Sequence, residues 1–227
     1  MTMVGFPRDV EAVYYGEHGI METAHRGQVL IDLTTSRPDL DQRIAKDCLS
    51  RDIVALDAPV SGGDIGAKQG TLTVMVGGDQ GELAKLKSLF AEFSNEVTYF
   101  GLAGSGQNAK MANQIMIAGT MTGMTEALVY AQAAGLNLSK VIRTLQGGAA
   151  ENFSLGSYGP RILSDDYTPG FFAKHFLKDL RIALDTATQL QIDLPGTKEA
   201  KHLYEILVDK KSLGNDGTQA LIKLWWQ

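Results

Sequence analysis

Up to Gly104 the chain alternates short β-branched, apolar runs with amphipathic stretches, and beyond Gly104 no strand-like run recurs. That asymmetry constrains the fold more than any other feature. Strands alternating with helices, followed by helices alone, predict an α/β domain and then an all-helical one. The division is expected near Gly104, giving residues 1–103 and 104–227, with a long helix spanning both parts.

The strand-like runs are Thr2 to Val4, Val29 to Leu33, Ile53 to Val60, Thr71 to Val76 and Val97 to Phe100. IVALDAPV at Ile53 to Val60 reads as buried on both faces, the type found in a parallel sheet covered by helices. Thr71 to Val76 alternates, so one packed face is expected. Helices are predicted from Pro7 to Tyr14, stopped by Gly16, and from Pro38, with Leu40, Ile44 and Cys48 inward. A third starts at Asp79, where Glu82 completes a capping-box pattern ahead of Leu83, Leu86, Leu89, Phe90 and Phe93. SGGDIGAKQG, from Ser61 to Gly70, reads as a glycine-rich loop. Later helices are expected over Gln107 to Ala134, closed by Gly135, after Ser139, over His175 to Gln189, and over Pro195 to Lys210. A last turn or two holds Trp225 and Trp226.

The formal net charge of −5 gives no basic surface for nucleic acid. Thr120, Thr122, Thr125 and Glu126 interrupt the best apolar run, so no membrane span is expected. Arg8, Asp9 and Glu11 stand where a signal peptide needs an apolar core. One cysteine, Cys48, excludes an internal disulfide, and the four histidines show no metal-ligand spacing. A cytoplasmic protein without a metal site is the expectation.

Two stretches carry chemistry. In GSGQNAKMANQ, from Gly104 to Gln114, helical spacing puts Lys110, Asn113 and Gln114 on one face among apolar neighbours. A lysine drawn out of water has its charged form disfavoured and can donate a proton near neutral pH. Taken alone, a solvated lysine in an early helical turn is the plainer reading. Ser61, Gly62 and Gly63 follow a buried strand, at the carboxyl end of the sheet where open α/β folds bind ligands. Their amides and hydroxyl suit a carboxylate or phosphate, and a tight turn explains the glycines as well. Gly101, Gly104 and Gly106 also sit between strand and helix, but their spacing is not GxGxxG and no acidic strand end follows. They are expected to turn the chain into the long helix.

DAPVSGG at Asp57 to Gly63, TLTVMVGG at Thr71 to Gly78, GSGQNAKMANQ and PGFFAKHFLKDL at Pro169 to Leu180 together resemble the β-hydroxyacid dehydrogenases. That family includes 3-hydroxyisobutyrate dehydrogenase and tartronate semialdehyde reductase. The resemblance implies a Rossmann-type sheet, an all-α C-terminal domain and reversible oxidation of a short 3-hydroxy acid to its semialdehyde with NAD or NADP. It assigns Lys110 as the catalytic acid. Ser61, Gly62 and Gly63 match the loop for the substrate carboxylate, and Asn113 and Gln114 match positions that orient substrate. Phe171 and Asp179 match the pocket lining. Val4, Gly5, Thr35 and Lys178 match cofactor contacts. Read blandly, Phe171 is core, and Lys178 with Asp179 is a solvated helix surface. A homo-oligomer, dimer or tetramer, is also implied.

The family's opening βαβαβ segment with GxGxxG has no counterpart here, so a truncated sheet is expected, without the pyrophosphate site and the residue that separates NAD from NADP. Two other readings stand beside a dehydrogenase. One is a non-catalytic carboxylate-binding or oligomerisation protein derived from the family. The other is an enzyme similar to 6-phosphogluconate dehydrogenase, disfavoured because that enzyme's helical domain is much larger.

Overall fold

The computed structural model describes residues 1–226. Its elements form two compact units, Met1–Ala112 and the residues from Asn113 onward. In the first, α1 (Pro7–Tyr15) and α2 (Ile20–Thr23) precede β1 (Val29–Asp32), α3 (Pro38–Leu49), β2 (Val54–Asp57), β3 (Val60–Ser61) and α4 (Gly63–Gln69). Next come β4 (Leu72–Gly77), α5 (Gln80–Lys85), α6 (Lys87–Ala91) and β5 (Ser94–Gly101). Thr2 contributes a single parallel bridge to Asp32 rather than a strand.

The sheet is mixed, which corrects the expectation of a parallel one. β1 pairs with β2 in parallel and β4 pairs with β5 in parallel, but β2 and β3 both run antiparallel to β4. Chain length explains the reversal. About ten residues separate β3 from β4, fewer than a parallel crossover requires. β2 and β3 keep one register against β4 and are interrupted at Pro59, whose carbonyl still accepts from the Met75 amide at 3.0 Å. β4 is buried on both faces, not one: Val74 and Val76 pack with Leu83 of α5 and Phe90 of α6, while Met75 is also buried and Gly77 closely meets Asp57 and the Gly106 amide. Val10, Tyr14, Leu40, Ile44, Cys48 and Ile53 form one buried layer, and Ile31, Leu56, Val74, Val76, Leu83 and Phe90 form another. Strand alternation sends Leu30 and Ala55 to the first and Ile31 and Leu56 to the second.

The SGGDIGAKQG stretch is not a loop but carries α4, whose N-cap Gly62 sits at φ 125°. Asp79 caps α5 by accepting from the Glu82 amide at 2.8 Å, as the capping pattern predicts. That helix ends at Lys85 and the chain restarts as α6.

A 29-residue helix, α7 (Ser105–Ala133), leads from the first unit into the second. It is followed by α8 (Leu138–Gln146), α9 (Phe153–Leu163), α10 (Ala173–Gln189) and α11 (Pro195–Glu205). A π-helical turn covers Ile206–Lys210 and a 3-10 helix Thr218–Leu224. α9 has no counterpart in the sequence reading. It is capped by Asn152, which accepts from the Leu155 amide at 2.9 Å, and it contains Pro160 in its interior. The core of this unit joins Phe176, Leu180, Tyr204, Leu207 and Leu221, with Phe176 and Tyr204 edge to face at 4.9 Å. Among the described residues no helix is long and apolar enough to cross a membrane.

Gly135 follows α7 at φ 71°, with open space where a side chain would project. Gly135→Ala is therefore expected to cost about 1 kcal/mol through backbone strain alone. Urea unfolding of the variant measures it.

A candidate active site at the start of the long helix

The first turn of α7 is held by an acid from a distant strand. Asp57, the last residue of β2, is 2% exposed and accepts from the amides of Gly104 at 2.8 Å and Gln107 at 2.9 Å. Those amides are orphan donors of a helix start, and a carboxylate there also meets the positive end of the helix dipole. Close approach demands glycine on both sides. A side chain at Gly77 would lie 2.5 Å from one Asp57 carboxylate oxygen, and one at Gly106 would lie 2.7 Å from the Asp57 carbonyl. Gly101 and Gly104 take φ values of 131° and 88°, so they do turn the chain. Gly106 has a different task, close packing.

Gln107 reaches from the same turn to the loop after β1. Its Oε1 accepts from the Ser36 amide at 2.9 Å and its Nε2 donates to the Thr34 carbonyl at 2.7 Å. Asp32, ending β1, accepts from the Thr34 amide and from the Thr2 hydroxyl, each at 3.0 Å. Val4 donates its amide to the Thr34 hydroxyl at 3.0 Å. Of the expected cofactor contacts in this unit, Val4 is bonded into this strand-end cluster, Gly5 and Thr35 adjoin it in the chain, and all three are half-buried.

One turn beyond Gln107 stands Lys110, 6% exposed. A solvated surface lysine is therefore the wrong picture. Ser61 is half-buried and Gly62 and Gly63 are exposed, at the entry to α4.

In the second unit Asn113, Gln114, Asp179 and Lys178 form a polar chain. Asn113 donates to Gln114 at 2.8 Å, Gln114 donates to Asp179 at 2.5 Å, and Asp179 pairs with Lys178 at 2.8 Å. The two charged side chains are 11% and 1% exposed, so this is a buried ion pair and not a solvated surface. Phe171 packs on Phe176 with ring centroids 5.6 Å apart, as a core residue does. A cavity of about 450 Å³ between the end of α10 and α11 includes none of the expected residues.

Asp57, Gln107, Asp32 and Asp41 were given no role by sequence reasoning. Two signals pointed to them: both buried strands β1 and β2 end in aspartate, and Gln107 precedes Lys110 by one turn. Burial raises the carboxyl pKa of Asp32 and of Asp57, and burial with the charges of Asp32 and Asp57 lifts that of Asp41 well above the ordinary range. A raised native value means that the folded chain holds protons more tightly than the unfolded one. This contribution favours folding below the ordinary carboxyl range and is lost as pH rises through the raised native values. Asp41 also has a buried Oδ2 without a hydrogen-bond partner. Asp41→Asn is accordingly expected to stabilise the protein by about 1–2 kcal/mol at neutral pH and to flatten the decline. Urea midpoints across mildly acid to neutral pH check both.

The strand-end cluster could hold the nicotinamide and ribose part of a dinucleotide through the half-buried Thr35; the neighbouring Ser36 hydroxyl is buried without a partner. The cluster does not suit a pyrophosphate. The Gly104 and Gln107 amides are taken by Asp57, and the Phe6 amide before α1 is taken by Asp9 at 3.0 Å.

Residues 104–225 match a family model described as the NAD-binding part of NADP-dependent 3-hydroxyisobutyrate dehydrogenase, and residues 1–101 match one described as the NAD-binding domain of 6-phosphogluconate dehydrogenase. The chain is 47% identical over 225 residues to YkwC, an uncharacterized oxidoreductase of Bacillus subtilis, covering 99% of this chain and 78% of that one. It is 37% identical over 202 residues to the 2-hydroxy-3-oxopropionate reductase of Escherichia coli, covering 89% and 69%. A crystal structure of 3-hydroxyisobutyrate dehydrogenase from Salmonella typhimurium superposes with a TM-score of 0.89 at 25% identity, covering 98% and 78%. Fold and matches together define a nicotinamide-dependent oxidoreductase of Rossmann type. The chain belongs to the β-hydroxyacid dehydrogenase family.

Proposed function

We propose that this chain interconverts a short 3-hydroxy acid and its semialdehyde, as a tartronate semialdehyde reductase or 3-hydroxyisobutyrate dehydrogenase does, with Lys110 as the proton donor. The observation that carries the reading is the burial of Lys110, in a helical turn whose start is fixed to the sheet by Asp57 and Gln107. A bound nicotinamide would supply the hydride for the aldehyde carbon, or accept it in the reverse direction. Lys110 gives its proton to the carbonyl oxygen, so that C=O becomes CH–OH, and takes the proton back during oxidation. The Ser61 hydroxyl with the Gly62 and Gly63 amides would hold the substrate carboxylate. Val4, Gly5 and Thr35 would lie along the cofactor. In the second unit, Asn113 and Gln114 would orient substrate, Phe171 and Asp179 would line its pocket, and Lys178 would contact the cofactor.

Steady-state reduction of tartronate semialdehyde and succinic semialdehyde, with NADH and with NADPH, tests the reading. Turnover with either nucleotide supports it. Binding of hydroxy acids without any nucleotide binding, seen by calorimetry, would replace it with a carboxylate-binding protein.

A further inference from the structure

We propose that Gln107 is a positioning residue for the nicotinamide nucleotide, locking the loop after β1 to the helical turn that precedes Lys110. The inference rests on the proposed use of that loop by the cofactor. Gln107 is fully buried, and its side-chain amide is used at both ends, by Ser36 and by Thr34. Its main-chain amide is held by Asp57. One side chain therefore joins positions 71 and 73 residues away to α7. The loop it grips lies at the carboxyl end of β1, where an α/β sheet presents its main chain to ligands. With Thr34 and Ser36 both fixed, Thr35 between them has its backbone set before any ligand arrives. Such preorganisation lowers the ordering cost of binding. Because Gln107 and Lys110 are one turn apart on the same helix, the loop and the lysine share an anchor.

A residue that served only stability would lose folding free energy without changing nucleotide affinity. The test titrates NAD(H) and NADP(H) calorimetrically into the full chain and into Gln107→Met, which keeps volume but makes none of the bonds. Gln107→Glu, which keeps the acceptor for Ser36 but sets an oxygen against the Thr34 carbonyl, gives the same readout if the first variant does not fold. Leu83→Ala, a packing loss in the same unit, serves as the comparison for stability. The expected result is nucleotide binding weakened about tenfold in either Gln107 variant, glycerate binding unchanged, and wild-type nucleotide affinity in Leu83→Ala. Amide hydrogen exchange at Ser36 should quicken in Gln107→Met.

Nucleotide affinity equal to wild type in a folded Gln107 variant would overturn the positioning role. If the wild-type chain binds nucleotide in a Gln107-dependent way but reduces no semialdehyde, the dehydrogenase reading fails and the positioning role stands. If it reduces semialdehyde with Gln107-independent binding, the reverse holds. A wild-type chain that binds no nucleotide contradicts both.

Discussion

Lys110→Ala should lower semialdehyde reduction by about a thousandfold while leaving nucleotide affinity within about twofold of wild type. The magnitude is that of a general acid, whose contribution to a proton-transfer step is typically about 10²–10⁴. The split between turnover and binding follows from position. Lys110 sits one turn past the residues that hold the strand-end loop, so its removal leaves Asp57, Gln107 and Thr34 in place. Lys110→Arg should fail almost as badly, because a guanidinium stays protonated and cannot cycle a proton. Initial rates at saturating nucleotide, with calorimetry on the same preparations, measure both quantities. Turnover indifferent to the alanine change would remove Lys110 from the chemistry.

Gly106→Ala should be among the most destabilising single substitutions in the chain, at about 3–5 kcal/mol. The added methyl would press on the Met75 carbonyl oxygen and stand 2.7 Å and 2.9 Å from the carbonyl and a carboxylate oxygen of Asp57. Backbone carbonyls within a sheet cannot swing aside as a flexible side chain could. The start of α7 would have to lift away from β2 and β4, stretching the Asp57 bonds to Gly104 and Gln107. Urea unfolding should show the loss as a lower midpoint, and a cost under about 1 kcal/mol would mean that the helix start is not tied down as described.

Much of this architecture was legible in advance. Hydrophobic periodicity or a capping signal placed α3 and α5, a β-branched apolar run placed β1, and the lack of strand-like runs beyond Gly104 left α7 and α10 as helices. What it could not supply was direction. β2 and β4 look alike whether they run parallel or antiparallel, and only the short link through α4 decides. Gly62, Gly63, Gly66 and Gly70 make that link read as a loop and mask a helix held between β3 and β4. α9 was hidden for a similar reason, with Gly156, Gly159 and Pro160 inside it.

The candidate site divides along the same line. Lys110 and the Ser61 loop were visible as motifs, since unusual residue types stand at recognisable spacings. Asp57 and Gln107 stood inside those motifs without a role, because their function is to accept and donate across 47 to 73 residues of intervening chain. Long-range hydrogen bonds leave no periodic trace. Lys178 and Asp179 show the converse, a charged pair that reads as surface yet is buried.

The most direct test is a crystal structure of the protein with reduced nicotinamide nucleotide and glycerate, or another short 3-hydroxy acid. The Lys110 Nζ should stand within hydrogen-bond distance of the substrate hydroxyl, with the carboxylate on the Ser61 to Gly63 amides and the nicotinamide beside Thr35. A bound acid placed elsewhere, with the Lys110 ammonium directed away from it, would contradict the proposed chemistry.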